Sequence, residues 1–240
     1  MVNSTLRKFL KSAAAAGSSS LSGRTGCLRK PAKKTYSRYA VSFGMLITVL
    51  ALSISNSFGL RTAQTWRERL GLEREKKWDE VLSKLSPLPV SDSVYIVSEG
   101  IRDMWTRYAF EHPALTGIYG MLPGDGVDTA CFKRTLRKVV SSWDFDRTWG
   151  WDFPMLAMAA ARTGDPELAV NMLLYPSVQF QFDEHGLASG GPFPYFPSNG
   201  ALLTAVAMMT AGWDGSEGEA PGFPKNGRWV VRYENFNQMQ

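Results

Sequence analysis

The chain has 240 residues, of which 44% are hydrophobic and 20% charged, enough to bury a core beside a leader and too apolar for disorder throughout. The net charge of +5 is segregated: residues 1–67 hold eleven Lys or Arg and no acid before Glu68, whereas the remainder has sixteen basic and twenty-two acidic residues. The acidic excess of the folded part argues against a nucleic-acid-binding protein.

The few histidines and cysteines exclude two further classes. His112 and His185 have no second metal ligand at a suitable spacing, so we predict no metal site and no cofactor. Cys27 and Cys131 lie on either side of the apolar segment described next. If that segment crosses a membrane, the two thiols cannot meet, and no intrachain disulfide is expected.

The N-terminal part reads as a leader followed by an apolar segment. Residues 1–38 are rich in Ser, Ala, Gly and basic residues, a composition typical of disorder. Residues 39–60 carry no charge and have about the 20 residues that a transmembrane helix needs. As a signal-anchor, this segment predicts a single-pass membrane protein with its C-terminal domain luminal or extracellular. A cleaved signal peptide, an organelle transit peptide and a helix packed on the soluble domain are the alternatives.

Residues 61–87 are predicted to form an amphipathic helix from Arg61 to Leu85, as a stalk or as the first helix of the domain. Trp78, Val81 and Leu82 repeat at helical spacing, and charged residues occupy the other face. Pro87 and Pro89 end this helix, because each removes a backbone donor and restricts the residue before it.

Residues 88–240 are predicted to form an all-α domain whose helices are of two kinds. Asp128 caps a one-sided helix that runs to about Ser142, and Asp165 begins another one-sided helix. Two further helices are apolar on every face, one with Asp152 as N-cap and one that begins at Ser198 or Asn199. Two concentric helical layers explain this mixture, since a plain four-helix bundle gives one-sided helices only. An α-solenoid is the rival, although no fixed-period repeat is present.

The loops between these helices are rich in aromatic residues, Gly and acids, above all at 143–152 and 192–197. Aromatic rings stack on sugar rings and carboxylates accept hydrogen bonds from sugar hydroxyls, and loops on a rigid scaffold commonly carry such sites. We therefore predict a carbohydrate-binding site. Its candidate substrate-binding residues are Asp144, Trp149, Trp151 and Tyr195.

The order of several motifs carries a resemblance to a known superfamily. From about Val94 to Tyr233 the chain resembles the C-terminal half of six-hairpin glycosidases and is similar to the family 65 glycoside hydrolases and related phosphorylases. The motifs that carry it are Ser142–Met155, Ala157–Gly164, Tyr195–Met209, Ala211–Asp214 and Gly222–Trp229. The resemblance implies a partial (α/α)6 toroid, and with the anchor the fold expected is all-α with an N-terminal transmembrane helix.

The resemblance also implies inverting cleavage or phosphorolysis of a glycosidic bond by a glutamic acid. Glu99 is the candidate acid and Asp152 the second catalytic candidate; the alternatives are a carboxylate at a helix start for Glu99 and an N-cap for Asp152. A full toroid needs about 350 residues, whereas about 180 follow Leu60. Three explanations of this difference in length remain open. The chain is a truncated product, a piece that pairs with another chain, or a non-catalytic fragment that binds carbohydrate or a protein partner. An open barrel face would favour self-association.

Overall fold

The computed structural model describes residues 57–101 and 103–239 of the chain. Its regular structure is mainly helical, as the sequence predicts. The helices are α1 (57–69), α2 (Lys76–Ser83), α3 (Thr129–Ser142), α4 (Asp152–Arg162), α5 (Pro166–Leu173) and α6 (Phe196–Ala211), with a 3-10 helix at Ala114–Thr116. Strands β1 (Val90–Ser91) and β2 (Val94–Tyr95) pair antiparallel as a hairpin.

Helix α4 lies at the centre of the core. All of its residues are buried, which confirms the prediction that the Met155–Ala161 stretch is enclosed on every side. It packs against α5 and α6, and the 3-10 helix and α3 also contact it. Gly120 permits a close backbone approach to α4, because a Cβ there would lie 2.8 Å from the Ala159 nitrogen.

Three helix boundaries have clear local causes, and the predicted starts at Asp128 and Asp165 are confirmed. The Asp128 side chain accepts a hydrogen bond from the Cys131 N–H at 2.6 Å and caps α3. Helix α4 ends before Gly164, whose φ of +76° suits glycine and turns the chain toward α5. Asp165 then caps α5 by accepting from the Leu168 N–H at 3.0 Å.

Helix α6 differs from its prediction in two respects. It begins at Phe196, ahead of Ser198 and Asn199, with Pro197 in its first turn. Its apolar residues are also not all enclosed, since Phe196 is 63% and Leu203 51% exposed. The reason is that α6 packs against α4 with one side, while Phe196, Leu203 and Thr204 follow the opposite face.

The predicted helix from Arg61 to Leu85 is divided into α1 and α2. Gly71 adopts a φ of +72°, which breaks the helix. The Gln64 side chain then joins the two helices, because its amide nitrogen donates to the Glu75 carbonyl and its amide oxygen accepts from the Glu75 N–H, both at 2.9 Å. The helix start considered at Glu99 is likewise a turn, and bends and turns follow it.

The predicted leader and residues 39–56 of the predicted anchor lie outside the described residues. Residues 57–60, which end that segment, belong to α1, where Ser57 is buried. None of the helices in the described part combines the length and apolarity that a membrane crossing requires.

Candidate functional site

A buried carboxylate stands at the centre of the candidate site. Asp152 is 0% exposed at the start of α4. Its Oδ2 accepts hydrogen bonds from the Thr148 hydroxyl and from the Trp149 N–H, the latter at 2.9 Å. Its Oδ1 lies 2.9 Å from His112 Nδ1. Asp152 is therefore not the predicted N-cap of α4, a position that Trp151 occupies, because its side chain turns toward the preceding loop.

His112 connects this buried carboxylate to the surface. Its side chain is 25% exposed. Nε2 forms no hydrogen bond with the described residues. Because it is not fully buried either, it reaches solvent. The imidazole thus has one nitrogen against a buried acid and the other at the surface.

Two tryptophan rings flank the imidazole, and Tyr195 contacts one of them. The His112 ring centroid lies 5.5 Å from that of Trp149 and 4.9 Å from that of Trp151. Trp149 in turn lies 5.4 Å from Tyr195, with the two rings tilted by 48°. Trp149 is 37% exposed, and Tyr195 is half-buried. Together His112, Trp149, Trp151, Asp152 and Tyr195 form what we call the aromatic cluster.

Two glycines hold the loops of the aromatic cluster together. The Gly150 N–H donates to the Gly190 carbonyl at 3.0 Å, which joins the loop before α4 to the loop before α6. A Cβ on Gly150 would lie 2.3 Å from Ser198 Oγ, and one on Gly190 would lie 2.0 Å from the Gln179 carbonyl oxygen. The two backbones therefore meet only where both residues lack a side chain.

The phenol of Tyr195 has a perturbed acidity. Burial raises its pKa above the ordinary value, and the nearby charge of Asp152 raises the pKa further. A tyrosine whose pKa is higher in the folded than in the unfolded chain stabilises the fold. This stabilisation is complete below the unfolded pKa, about 10, and is lost as the pH rises through the folded pKa.

We therefore expect Tyr195→Phe to lose less stability above about pH 10 than the unmodified chain loses. Urea unfolding at increasing alkaline pH measures the difference. Identical pH dependences of the two proteins would contradict the raised pKa of Tyr195 and its burial beside Asp152.

Four of the residues predicted for the site lie together, and two do not. Asp152, Trp149, Trp151 and Tyr195 belong to the aromatic cluster. Glu99 is exposed in a turn, and among the described residues no hydrogen bond or ion pair joins it to the aromatic cluster. Asp144 is exposed; it accepts from the Asp146 N–H at 3.3 Å and lies 3.9 Å from Arg147, as a turn residue does.

His112 is the member of the aromatic cluster that the sequence analysis did not select. It lies 40 residues before Asp152, and no local pattern joins the two. The available signal was its position in an acidic turn, Glu111-His112-Pro113, within the stretch that carries the family resemblance.

A recess of about 690 Å³ lies elsewhere, between α1 and the body. Its walls mix charges of both signs, including Arg61, Arg69, Asp125 and Asp214, and none of the aromatic cluster lines it. Arg61 and Asp125 pair with each other at 3.2 Å across it. Because its charges are mixed and partly paired, the chemistry of the chain points to the aromatic cluster instead.

No family model matches the chain, and neither curated proteins nor solved structures provide a match.

Proposed function

We propose that this chain is a carbohydrate-binding protein of the six-hairpin glycosidase kind, with the aromatic cluster as its glycan site. The observation that carries the proposal is the contact between the 37% exposed Trp149 and the half-buried Tyr195 beside His112. Trp149 offers apolar ring surface to a ligand, and His112 offers a polar atom next to it. Sugars likewise present apolar C–H faces next to polar hydroxyl groups.

The rigidity of the aromatic cluster supports binding. The buried Asp152 bonds to His112 and to the Trp149 backbone N–H. The Gly150–Gly190 hydrogen bond fixes the two loops relative to each other. A site whose rings are already oriented loses less conformational entropy when a ligand binds. Partly exposed aromatic rings on such a scaffold suit a neutral oligosaccharide.

The geometry favours binding over cleavage. Inverting hydrolysis needs two carboxyl groups about 6.5–9.5 Å apart that reach the substrate. Asp152 is buried and already accepts from Thr148 and Trp149. Glu99 is exposed outside the aromatic cluster. Acid-assisted inverting hydrolysis therefore stands as the second candidate function, favoured by the family resemblance alone.

The partial toroid belongs to the same proposal. Helix α4 is enclosed on all sides, as an inner helix of a two-layered (α/α) arrangement is, and α3 has the one-sided burial of an outer helix. The exposed apolar face of α6 is where a further helical layer would pack, in another chain or in a second copy.

We also propose a membrane location for this domain, with residues 39–60 as a signal-anchor and the glycan site luminal or extracellular. The support is the uncharged length of that segment and the basic residues before it. Because residues 57–60 of this segment belong to α1 and Ser57 hydrogen-bonds to Asp125, the anchor would end close to the body of the domain.

Replacing Trp149 by Ala tests the glycan site. We expect the full-length chain to bind members of a panel of neutral glucose, galactose and mannose oligosaccharides, and Trp149→Ala to bind them about tenfold more weakly, because a stacking face is lost. Isothermal titration calorimetry measures both affinities.

The matched control is Trp229→Ala. Trp229 is 36% exposed, close to the 37% of Trp149, but it packs on Phe223, away from the aromatic cluster. The control should bind as the unmodified chain does. Absence of binding across the panel, or equal losses in the two variants, would refute the glycan site.

A further inference from the structure

The imidazole of His112 has two nitrogens in very different surroundings, and their chemistry determines what the site recognises. Nδ1 lies 2.9 Å from the buried Oδ1 of Asp152, whereas Nε2 is not fully buried and has no hydrogen-bond partner among the described residues. The Trp149 and Trp151 rings flank the imidazole. Which nitrogen carries the proton decides whether Nε2 donates or accepts a hydrogen bond.

Two neighbours compete for Nδ1. The Trp151 Nε1–H lies 3.1 Å from Nδ1 and can donate to it only if Nδ1 carries a lone pair. The Asp152 carboxylate can accept from Nδ1 only if Nδ1 carries a proton. A single ring nitrogen cannot satisfy both. A hydrogen bond to a buried carboxylate is the stronger of the two, and a lone pair on Nδ1 would leave the buried Oδ1 without a donor. Nδ1 therefore carries the proton.

We propose that His112 is the polar group of this site that contacts the ligand, held by Asp152 as the Nδ1–H tautomer so that Nε2 accepts a hydrogen bond from a ligand hydroxyl. The ligand class rests on the proposed carbohydrate function, whereas the tautomer rests on the geometry around Asp152. Asp152 acts as a positioning residue, because it is buried and touches the ligand only through His112.

The substitution Asp152→Asn should reverse the tautomer. The Trp149 N–H is an obligatory donor to Oδ2, so the Asn carbonyl must take that position. The Asn NH2 group then faces Nδ1 and donates to it, which moves the ring proton to Nε2. In the variant the exposed nitrogen offers a proton where the unmodified chain offers a lone pair.

Nitrogen-15 NMR of the neutral imidazoles in the full-length chain reads this difference directly. The chain has two histidines, and His185→Gln leaves His112 as the only one. His185 is exposed, and its hydrogen bond to Asp183 comes from the backbone N–H, which the substitution keeps. We expect a protonated Nδ1 and a bare Nε2 in the unmodified chain, the reverse in Asp152→Asn, and no change in Asp144→Asn, whose carboxylate is in the adjoining loop.

The same proteins are then titrated with the oligosaccharide panel. We expect Asp152→Asn to bind about tenfold more weakly than the unmodified chain and Asp144→Asn to bind equally well. The NMR measurement on the unmodified chain stands even if Asp152→Asn does not fold. A bare Nδ1 in that chain would overturn the proposal, as would unchanged glycan affinity in a folded Asp152→Asn with the reversed tautomer. A protonated Nδ1 in a chain that binds no glycan supports the His112 geometry and refutes the carbohydrate function.

Discussion

Gly190→Ala is expected to lower the free energy of unfolding by more than about 4 kcal/mol, the range of the most damaging single substitutions. The added Cβ would lie 2.0 Å from the Gln179 carbonyl oxygen and 2.6 Å from the Gly150 nitrogen, and both of these atoms belong to backbone that cannot rotate away. Gly190 also has a φ of +89°, which disfavours a side chain by about 1–2 kcal/mol.

Gly215→Ala is the matched control for this effect. Gly215 has nearly the same φ, +83°, but nothing lies within 4 Å of the position of its Cβ. It should therefore lose only the backbone contribution of about 1–2 kcal/mol. Equilibrium urea unfolding followed by circular dichroism measures both variants. Equal losses would mean that the Gly150–Gly190 contact does not exist.

Phe153→Ala should be the second most damaging change, with a loss of about 3–5 kcal/mol. Phe153 is fully buried in the first turn of α4. Its ring stacks on Phe180 at 5.0 Å and contacts Phe145 and Tyr175 at 5.7 and 5.4 Å. Removing it leaves a cavity between α4, the loop before α4 and the loop after α5, which the neighbouring rings cannot fill.

The control for Phe153 is Phe193→Ala, which removes the same group from a position that is 62% exposed. We expect a change within about 0.5 kcal/mol there. Urea midpoints of the two variants give the comparison. A small loss for Phe153→Ala would show that α4 is not the centre of the core.

The part of the fold that followed from the sequence is the part that local chemistry determines. Asp128, Gly164 and Asp165 act within a turn of their own positions, so the start of α3, the end of α4 and the start of α5 could be predicted. Helix α6 could not be predicted fully, because its composition is apolar on every face while its burial depends on which elements lie beside it.

The same distinction holds for the candidate site. Trp149, Trp151 and Asp152 are neighbours in sequence, and Tyr195 comes from the second aromatic loop, so the sequence could indicate that they act together. His112 joins them through a contact across 40 residues that no periodicity reveals. Glu99 was proposed by the family resemblance, and its turn lies outside the aromatic cluster.

Neighbouring residues contribute to stability and to the proposed function in this protein. Asp152 orients His112 and also bonds to the Trp149 backbone, and Phe153, its neighbour, fills the core beneath. Substitutions that damage the core at α4 should therefore also disturb glycan binding. Variants at His112 or Trp149 separate the two effects better, since both side chains reach the surface.

The most direct test records the indole N–H resonances of the full-length chain, labelled with nitrogen-15 tryptophan, during titration with the oligosaccharide panel. If the aromatic cluster is the glycan site, the signals of Trp149 and Trp151 move on binding, and those of Trp66 and Trp229 stay in place. Signals of Trp149 and Trp151 that remain fixed at saturating sugar, or a response confined to Trp66 and Trp229, would contradict the account.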